Sequence, residues 1–404
     1  MGRPRETSRI GAQSESILTL STVRLAIVLP VHSEGLTIAS TLREIHSSIL
    51  AQVPNGKVLV FEDGSRDNTK EVLKGLAKEN AWLRVETSEE RKGYPKAARD
   101  AILSVDPHEF DLILFMDSDG QYDPSDFFHL WQAFSGKEDG GVDFVIGRRM
   151  NRSEPFYRVV LSRGLHLIES ILFRPPFQDI TSAFRLMDVT KAQSIARDVQ
   201  FSRYNFWLEF TARMTSKDLG ISEVPVKYRE REGSSRVYSL RKMPKVVANE
   251  LSTLIRTFWQ TNWKHLSKFV LVGLSGAFVI LFGLFVAVSV LGVQYIIAGG
   301  IVIELSILWS FAWNERWTFP FRGAFRPRFH RFLMYNAVSL VGLGINLGVL
   351  FLAVNYLHIF YLYGEVLAIA IAFSFNYLWS ANVIWQNYNI DSGVREPAPT
   401  LPKM

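Results

Sequence analysis

From Phe269 onward the chain carries four apolar segments, at residues 269–292, 294–313, 332–354 and 360–384. Each is close to the ~20 residues that a helix needs to cross the hydrocarbon core of a bilayer. Buried core helices of that length would show a polar face, which these segments lack. In lipid the backbone must satisfy its own polar groups, so each segment is expected as a membrane-spanning helix. The connections set the orientation. The loop between the second and third spans, NERWTFPFRGAFRPRFHR, carries Arg316, Arg322, Arg326, Arg328 and Arg331, whereas the turns after the first and third spans hold neither Lys nor Arg. Positive loops stay inside, so both termini and everything ahead of the spans are expected on the cytoplasmic side.

The membrane half, residues 266–386, repeats itself. Phe311-x-x-Asn314-x-x-Trp317 recurs as Phe373-x-x-Asn376-x-x-Trp379, and Glu304 and Glu365 precede the two copies. Two spans per repeat return the chain to one side, so the two hairpins share an orientation. An ionisable residue in a span marks either a function or a hydrated, helix-bridging group near the outer interface. The early position of both glutamates in their spans favours the second reading. Ahead of the spans, residues 238–265 mix Arg241, Lys242 and Lys245 with Val246, Leu251, Leu254, Ile255, Phe258, Trp259 and Trp263. That is the pattern of amphipathic helices lying in a membrane interface. The alternative is an amphipathic helix packed beneath a soluble domain.

Residues 21–237 read as an α/β domain. Short apolar runs alternate with helical patterns: LAIVLP, TIASTLREIHSSIL, VLVFEDGS, NTKEVLKGLAKE. This rhythm predicts βαβ units and a mostly parallel, Rossmann-like sheet, with ligands at the carboxyl ends of its strands. Residues 1–20 are polar and without the apolar core of a signal peptide, so they are read as a disordered tail. Their Met-Gly start has Glu6 where an N-myristoylation site needs Ser or Thr. Residues 387–404 are read as a C-terminal tail. The chain has no cysteine, which excludes disulfides, cysteine zinc sites and thiol catalysis. A net charge of +6 over 404 residues is mild. Nucleic-acid binders concentrate far more positive charge, so the expected partner is the lipid bilayer and not nucleic acid.

The chemistry-bearing stretch is FMDSDGQYDP, Phe115–Pro124. Asp117, Asp119 and Gln121 follow directly on the apolar run Leu112–Met116. Two carboxylates one residue apart at a strand end repel each other unless a cation lies between them. Mg²⁺ commonly takes one or two carboxylates together with substrate phosphates, and such a metal neutralises a leaving diphosphate. The competing reading of Asp-x-Asp alone is a solvated acidic turn. A second strand ends in FEDGSRDNT, residues 61–69. There Gly64 and Ser65 suit a tight turn, and Asp67 or Asn68 can cap the next helix. Asp63, at the strand's carboxyl end, can accept hydrogen bonds from a base. The first strand ends in LPVHSEG, with Pro30, His32 and Glu34 toward the same crevice. Lone His32 is read as a packing or stacking residue, not a metal ligand.

In order and spacing, LPVHSE, EDGS, MDSDGQ, IGRRM, DITSAFR and VPVKYREREGSSR resemble the family 2 glycosyltransferases with the GT-A fold. The closer resemblance, over residues 24–240, is to polyisoprenyl-phosphate hexosyltransferases, chiefly the dolichol-phosphate mannose synthases. The four-span half resembles a GtrA-like membrane domain. This resemblance implies a metal, Mg²⁺ or Mn²⁺, on Asp117, Asp119 and Gln121. It implies nucleotide binding by Pro30, His32, Glu34, Phe61, Asp63, Asp117, Ser118 and Asp119. His32 replaces the family's usual tyrosine, and Glu62 the first Asp of its Asp-Asp pair. Arg231, with Arg229 as runner-up, matches the arginine ahead of a Gly-x-Ser-Lys turn that closes over the diphosphate, here Gly233–Arg236. Arg149, Arg158 and Ser162 match the acceptor-phosphate site, and with Asp119 they are the expected catalytic residues. Arg148 and Arg163 stand beside them, and charge-assisted donors suit a monoester phosphate. Asp179 and Ser182 match Asp-x-x-Ser-Gly-Phe, with Ala183 in place of the glycine.

The resemblance implies an inverting, metal-dependent transfer of a hexose to a polyprenyl phosphate, dolichyl or undecaprenyl. It points to GDP-mannose as donor, with UDP-glucose as the alternative. A processive polysaccharide synthase would need Gln-x-x-Arg-Trp, but the chain's Arg-Trp, Arg316-Trp317, has Trp313 in the Gln position. A lipid-linked sugar translocator or scaffold with a soluble domain that only binds is the rival of another class. It would have no need of a phosphate-neutralising metal site.

Overall fold

The structure is a computed structural model that describes residues 19–136, 142–150, 156–175, 177–217, 219–229, 243–320 and 326–385, with the backbone alone over 156–162. The expected tails, apart from residues 19 and 20, and Arg322 of the arginine-rich loop lie outside the described residues.

Seven strands form one sheet: β1 (Leu25–Val31), β2 (Gly56–Glu62), β3 (Leu83–Thr87), β4 (Leu112–Phe115), β5 (Phe144–Arg149), β6 (Arg185–Asp188) and β7 (Ile221–Val226). Their order is β3-β2-β1-β4-β6-β5-β7. All pairs are parallel except those of β6, which runs antiparallel to both β4 and β5. The helices around the sheet are α1 (Ile38–Ile45), α2 (Thr69–Glu79), α3 (Tyr94–Ser104), α4 (Phe127–Ser135), α5 (Phe156–Leu172), α6 (Val189–Ala196) and α7 (Phe206–Thr215). Every residue of β1 is buried, as expected of a central parallel strand covered on both faces. The reversal of β6 matters for function. It brings the segment that enters β6, residues 179–184, to the same sheet edge as the carboxyl ends of β1, β2, β4 and β5.

Residues 243–265 do not form a separate helix in the membrane interface. They are the first half of α8 (Met243–Phe285), which continues without a break into the first span. The cause is local: between Pro244 and Gly273 the chain has neither Gly nor Pro to stop a helix. One face of this half is buried through Val246, Glu250, Thr253, Leu254 and Thr257. Polar ties fasten it to the α/β half, from Arg203 N to Asn249 Oδ1 (3.3 Å) and from Arg213 Nη2 to Gln260 Oε1 (2.8 Å). The opposite face leaves Ile255, Trp259 and Trp263 exposed, and Trp at such a position suits the headgroup layer of a bilayer. So the helix packs beneath the domain and still presents an interfacial stripe.

The remaining spans are α9 (Tyr295–Trp313), α10 (Arg328–Asn355) and α11 (Tyr361–Trp379). Among the described residues, four helices are long and apolar enough to cross a membrane. An aromatic cluster of Phe311, Phe319, Tyr335, Tyr377 and Trp385 closes one end of the bundle. Beneath it Glu315 accepts from Trp385 Nε1 (2.8 Å) and from Arg331. Glu304 and Glu365 each bridge to an asparagine of α10, Asn336 (2.9 Å) and Asn346 (3.3 Å). Near the same end Arg174 Nη1 donates to Asn382 O (3.0 Å), and Asn382 Nδ2 donates to Ile171 O (2.9 Å), tying α5 to the chain just after α11.

Gly147 of β5 sits where a Cβ would lie 2.9 Å from Phe184 Cδ1 and 3.0 Å from Val226. Gly147→Val is therefore expected to overpack the β6-β5-β7 side and destabilise the protein by about 1–3 kcal/mol. Fluorescence-monitored unfolding in detergent would measure this, and unchanged stability would contradict the packing.

Candidate active site

The site is assembled where β1, β2, β4 and β5 end and β6 begins. Ser118, just past β4, donates its hydroxyl to Pro30 O of β1 (3.0 Å), which locks the two strand ends together. The His32 ring bonds to Asp63 O through Nδ1 (2.7 Å). Asp63 turns its carboxylate to the backbone N–H groups of Lys92 (2.6 Å) and Gly93 (2.8 Å), so it clamps the loop after β3 onto the end of β2. Glu62 lines the pocket beside Asp63, and its carboxylate accepts from Ser65 N and lies 3.7 Å from Lys70. Glu34 accepts from the Thr37 hydroxyl (3.0 Å). Asp67, not Asn68, caps α2, by accepting from Thr69 N (3.2 Å). A pocket of about 110 Å³ beside Asp63 is lined by Phe61, Glu86, Ser88 and Lys92.

Asp117 and Asp119 stand on the turn after β4. Gly120 has φ +72°, which lets the chain reverse there, and Gln121 N donates back to Asp119 Oδ1 (3.2 Å). Asp117 Oδ1 accepts from Tyr94 OH (2.8 Å), which in turn accepts from Trp207 Nε1 (3.0 Å). Burial, followed by the charge of Asp117, pushes the Tyr94 hydroxyl well above its ordinary range, so it stays a donor. Tyr94 and Trp207 are absent from the sequence reading. The signal for Tyr94 was the Gly93-Tyr94-Pro95 start of a helix at this same edge; Trp207 gave none, since it arrives from α7 only through packing. Gln121 Nε2 donates to Arg229 O (3.2 Å), and Arg229 N donates to Gln121 O (2.8 Å). Arg229 itself is held by Glu44 (2.7 Å) and Asp123 (3.3 Å). Arg231 and the turn Gly233–Arg236 lie outside the described residues.

Across the edge, Arg149 ends β5. Its Nε and Nη2 form a bidentate pair with Asp179, both at 2.9 Å, and Nη2 also reaches Thr181 Oγ1 (2.8 Å). Burial alone would lower this guanidinium, but Tyr122 and Asp179 hold it well above its ordinary value. The ring of Tyr228 lies against it at 5.3 Å. Arg185, which opens β6, was not singled out from sequence. Fully buried, it bonds Ser182 O (2.7 Å), Ile180 O (3.0 Å) and Thr211 Oγ1 (2.9 Å), so it shapes the segment that carries Asp179. Burial pulls it down to about 10. Arg158 and Ser162 share one face of α5 with His166 and Glu169 by helical spacing; the side chains of the first two lie outside the described residues. Glu169 is fully buried, and burial, offset in part by Arg185, raises its carboxyl well above the usual range.

The donor set of Asp117, Asp119 and Gln121 is all hard oxygen on one turn, which fits Mg²⁺ or Mn²⁺ with coordination positions left for phosphate oxygens. Among the described residues no cluster of three or more His, Cys, Asp or Glu side chains is placed to hold a metal without such outside ligands.

Residues 26–195 match the family model described as Glycosyl transferase family 2, and residues 268–385 match the one described as GtrA/DPMS, transmembrane domain. The chain thus joins a family 2 glycosyltransferase domain to a GtrA/DPMS membrane domain and is an integral membrane protein. A dolichol-phosphate mannosyltransferase from Pyrococcus furiosus is 26% identical over 372 residues, covering 90% of this chain and 99% of the relative. A dolichyl-phosphate beta-glucosyltransferase from Drosophila melanogaster is also 26% identical, over 52% of this chain and 69% of the relative. Among solved structures, glucosyl-3-phosphoglycerate synthase from Mycobacterium tuberculosis in complex with UDP is 17% identical with a TM-score of 0.45, over 64% of this chain and 86% of that one.

The Arg149–Asp179 pair is buried on both sides, with side-chain exposures of 12% and 4%. Asp179→Ala leaves a buried guanidinium uncompensated and is expected to cost about 3–5 kcal/mol. Thermal unfolding in detergent would read this as a lowered midpoint; an unshifted midpoint would mean the pair does not hold the edge.

Proposed function

We propose that this chain transfers mannose from GDP-mannose to a polyprenyl phosphate, with inversion at C1, at the cytoplasmic face of a membrane. One observation carries the reading. A turn bearing Asp117 and Asp119 faces a buried Arg149–Asp179 pair across a single sheet edge, in a domain packed on a helix that continues into a membrane span. A reaction between two anions needs positive charge beside each, a divalent cation held by the aspartates for one and the Arg149 guanidinium for the other, and an acceptor with a hydrocarbon tail needs the span. The curated mannosyltransferase relative, which this chain matches over 99% of its length, supports the same reading.

In this reading Pro30, His32, Glu34, Phe61, Asp63, Ser118 and Arg231 hold the nucleotide. Asp117, Asp119 and Gln121 hold a divalent cation, which supplies neutralisation of the leaving diphosphate. Arg149, Arg158 and Ser162 take the acceptor phosphate through charge-assisted bonds. That phosphate is already ionised near pH 7, so one of its oxygens attacks C1 without a strong base. The bond from C1 to the donor's phosphate oxygen breaks, and its electron pair leaves with the nucleoside diphosphate. Orientation and electrostatics do most of the work, which suits a site rich in arginine and carboxylate and poor in histidine. The bilayer keeps the acceptor's tail, while α8 and the stripe of Trp259 and Trp263 hold the site at headgroup height. Glucose from UDP-glucose is the second reading, supported by a beta-glucosyltransferase relative of equal identity.

Radiolabelled GDP-mannose and, separately, UDP-glucose should be offered with a polyprenyl phosphate and Mg²⁺ or Mn²⁺ in detergent. The expected result is label in the lipid phase from GDP-mannose alone. Label from UDP-glucose alone would replace the sugar, and label from neither would overturn the reading. Asp119→Ala is expected to lower transfer by about a hundredfold or more and to remove the response to added metal. Arg158→Ala should raise the KM for polyprenyl phosphate about tenfold, equivalent to ~1.4 kcal/mol, and leave the donor's Kd unchanged. A shifted donor Kd with acceptor KM intact would reassign that arginine.

A further inference from the structure

Asp117 is half-buried on the turn after β4. The terminal torsion of an aspartate is broad, so its carboxylate keeps one plane only where an outside partner holds it. Here the partner is Tyr94, whose hydroxyl meets Asp117 Oδ1 at 2.8 Å. Trp207 Nε1 meets the same hydroxyl at 3.0 Å. The direction of these two bonds follows from the groups themselves. An indole N–H only donates, and an ionised carboxylate only accepts. The Tyr94 oxygen therefore accepts from Trp207, and its one proton goes to Asp117. Both members of this relay are held in place. Tyr94 opens α3 directly after Gly93, which has φ +85°, and Asp63 grips the N–H groups of Lys92 and Gly93. Trp207 is 1% exposed. Its ring meets Phe115 of β4 edge-on at 4.7 Å, and the Arg185 guanidinium stands over its face at 4.4 Å. Pinned from an edge and from a face, the indole keeps its N–H on Tyr94.

The bland role for such a hydroxyl is to satisfy a buried indole N–H. A backbone carbonyl would serve that need equally well. What Tyr94 adds is a charge-assisted bond to one of two carboxylates that share a turn. Asp119 takes its bond from Gln121 N, inside the turn itself. The Tyr94 bond instead ties the turn to α3 and, through Trp207, to α7. Groups that bond a ligating carboxylate from behind set its orientation and its basicity, and their loss typically lowers metal affinity 10- to 100-fold.

We propose that Tyr94 is a positioning residue for a divalent cation on the Asp117 turn, its hydroxyl aimed at Asp117 by Trp207. The inference rests on the reading above, in which Asp117, Asp119 and Gln121 hold that cation. Tyr94→Phe keeps the ring and removes the hydroxyl. Mn²⁺ would be titrated into the full-length protein in detergent with GDP present, the free ion being read from its electron paramagnetic resonance signal. No turnover is needed. The expected result is a Kd for Mn²⁺ raised about tenfold, with the KM for polyprenyl phosphate at saturating Mn²⁺ unchanged. Added Mn²⁺ should then restore transfer by this variant, which also shows that it folds. Trp207→Phe removes the indole N–H and keeps an aromatic ring beneath Arg185. It should raise the same Kd by a smaller factor, and the double variant should match Tyr94→Phe, because two members of one relay do not add. Effects that multiply would make the two residues independent and overturn the relay. A hydroxyl that only braces the fold would lower the thermal midpoint and leave the Mn²⁺ Kd of the folded protein where it was; that too overturns the proposal. Should Trp207→Phe fail to fold, Tyr94→Phe decides alone. Mn²⁺ binding that Tyr94→Phe weakens, in a chain that transfers no sugar, would sink the function and keep this assignment. An unchanged Kd in a chain that transfers mannose would do the reverse. A wild-type chain that binds no Mn²⁺ with either GDP or UDP would remove the metal turn and this assignment with it.

Discussion

The bidentate pair between Arg149 and Asp179 is the interaction on which the catalytic edge depends. It joins the end of β5 to the segment that enters β6, extending past the strands the pairing that already makes them neighbours. Glu223 of β7 adds to it by accepting from Gln178 N (2.9 Å) and Asp179 N (2.8 Å). Arg185 adds from below by bonding two carbonyls of the same segment. A buried ion pair gains little over apolar packing unless its remaining donors and acceptors are met. Here they are met by backbone amides, Thr181 and the face of Tyr228, so the pair acts to fix geometry. It holds the guanidinium in a largely buried place at the sheet edge.

The second constraint is height. In the proposed reaction the acceptor's headgroup stays near the plane of the membrane, so the site that modifies it must be held there. In this protein the holding element is one long helix. Its first half is buried under the catalytic domain by Val246, Leu254 and Thr257, and its second half is a span. The contact between Asn382 and α5 closes the arrangement from the other end of the chain. Catalytic and membrane halves are thus fastened at two places far apart in sequence.

Much of this was legible from residues alone, for identifiable reasons. The four spans follow from hydropathy, because a segment in lipid has few structural choices. The edge bearing Pro30, Asp63, Ser118 and Asp119 follows from short apolar runs ending in turn residues, since parallel strands put their carboxyl ends together. What was not legible came from distant packing. Trp207 reaches the Tyr94 hydroxyl from α7, and Arg185 is aimed inward from a strand of reversed direction. The break expected between an interfacial helix and the first span is missing, because amphipathicity marks which face a helix buries and says nothing of where the helix ends. Asp63 shows the same limit: a carboxylate at a strand end is visible in the sequence, but its clamp on Lys92 and Gly93 is not.

By itself the sequence determined the class of each half: alternation of short apolar runs imposes a parallel sheet, long apolar runs impose membrane helices, and carboxylates directly after a strand put an acidic turn at the sheet edge. These are local properties, carried by composition and spacing. The tertiary structure alone decided which charges face one another, because β6 runs against its neighbours and only that reversal sets Asp179 beside Arg149. It alone decided that the two asparagines of the internal repeat, Asn314 and Asn376, line one cavity, since helix packing, and no spacing within either repeat, brings the two residues to it.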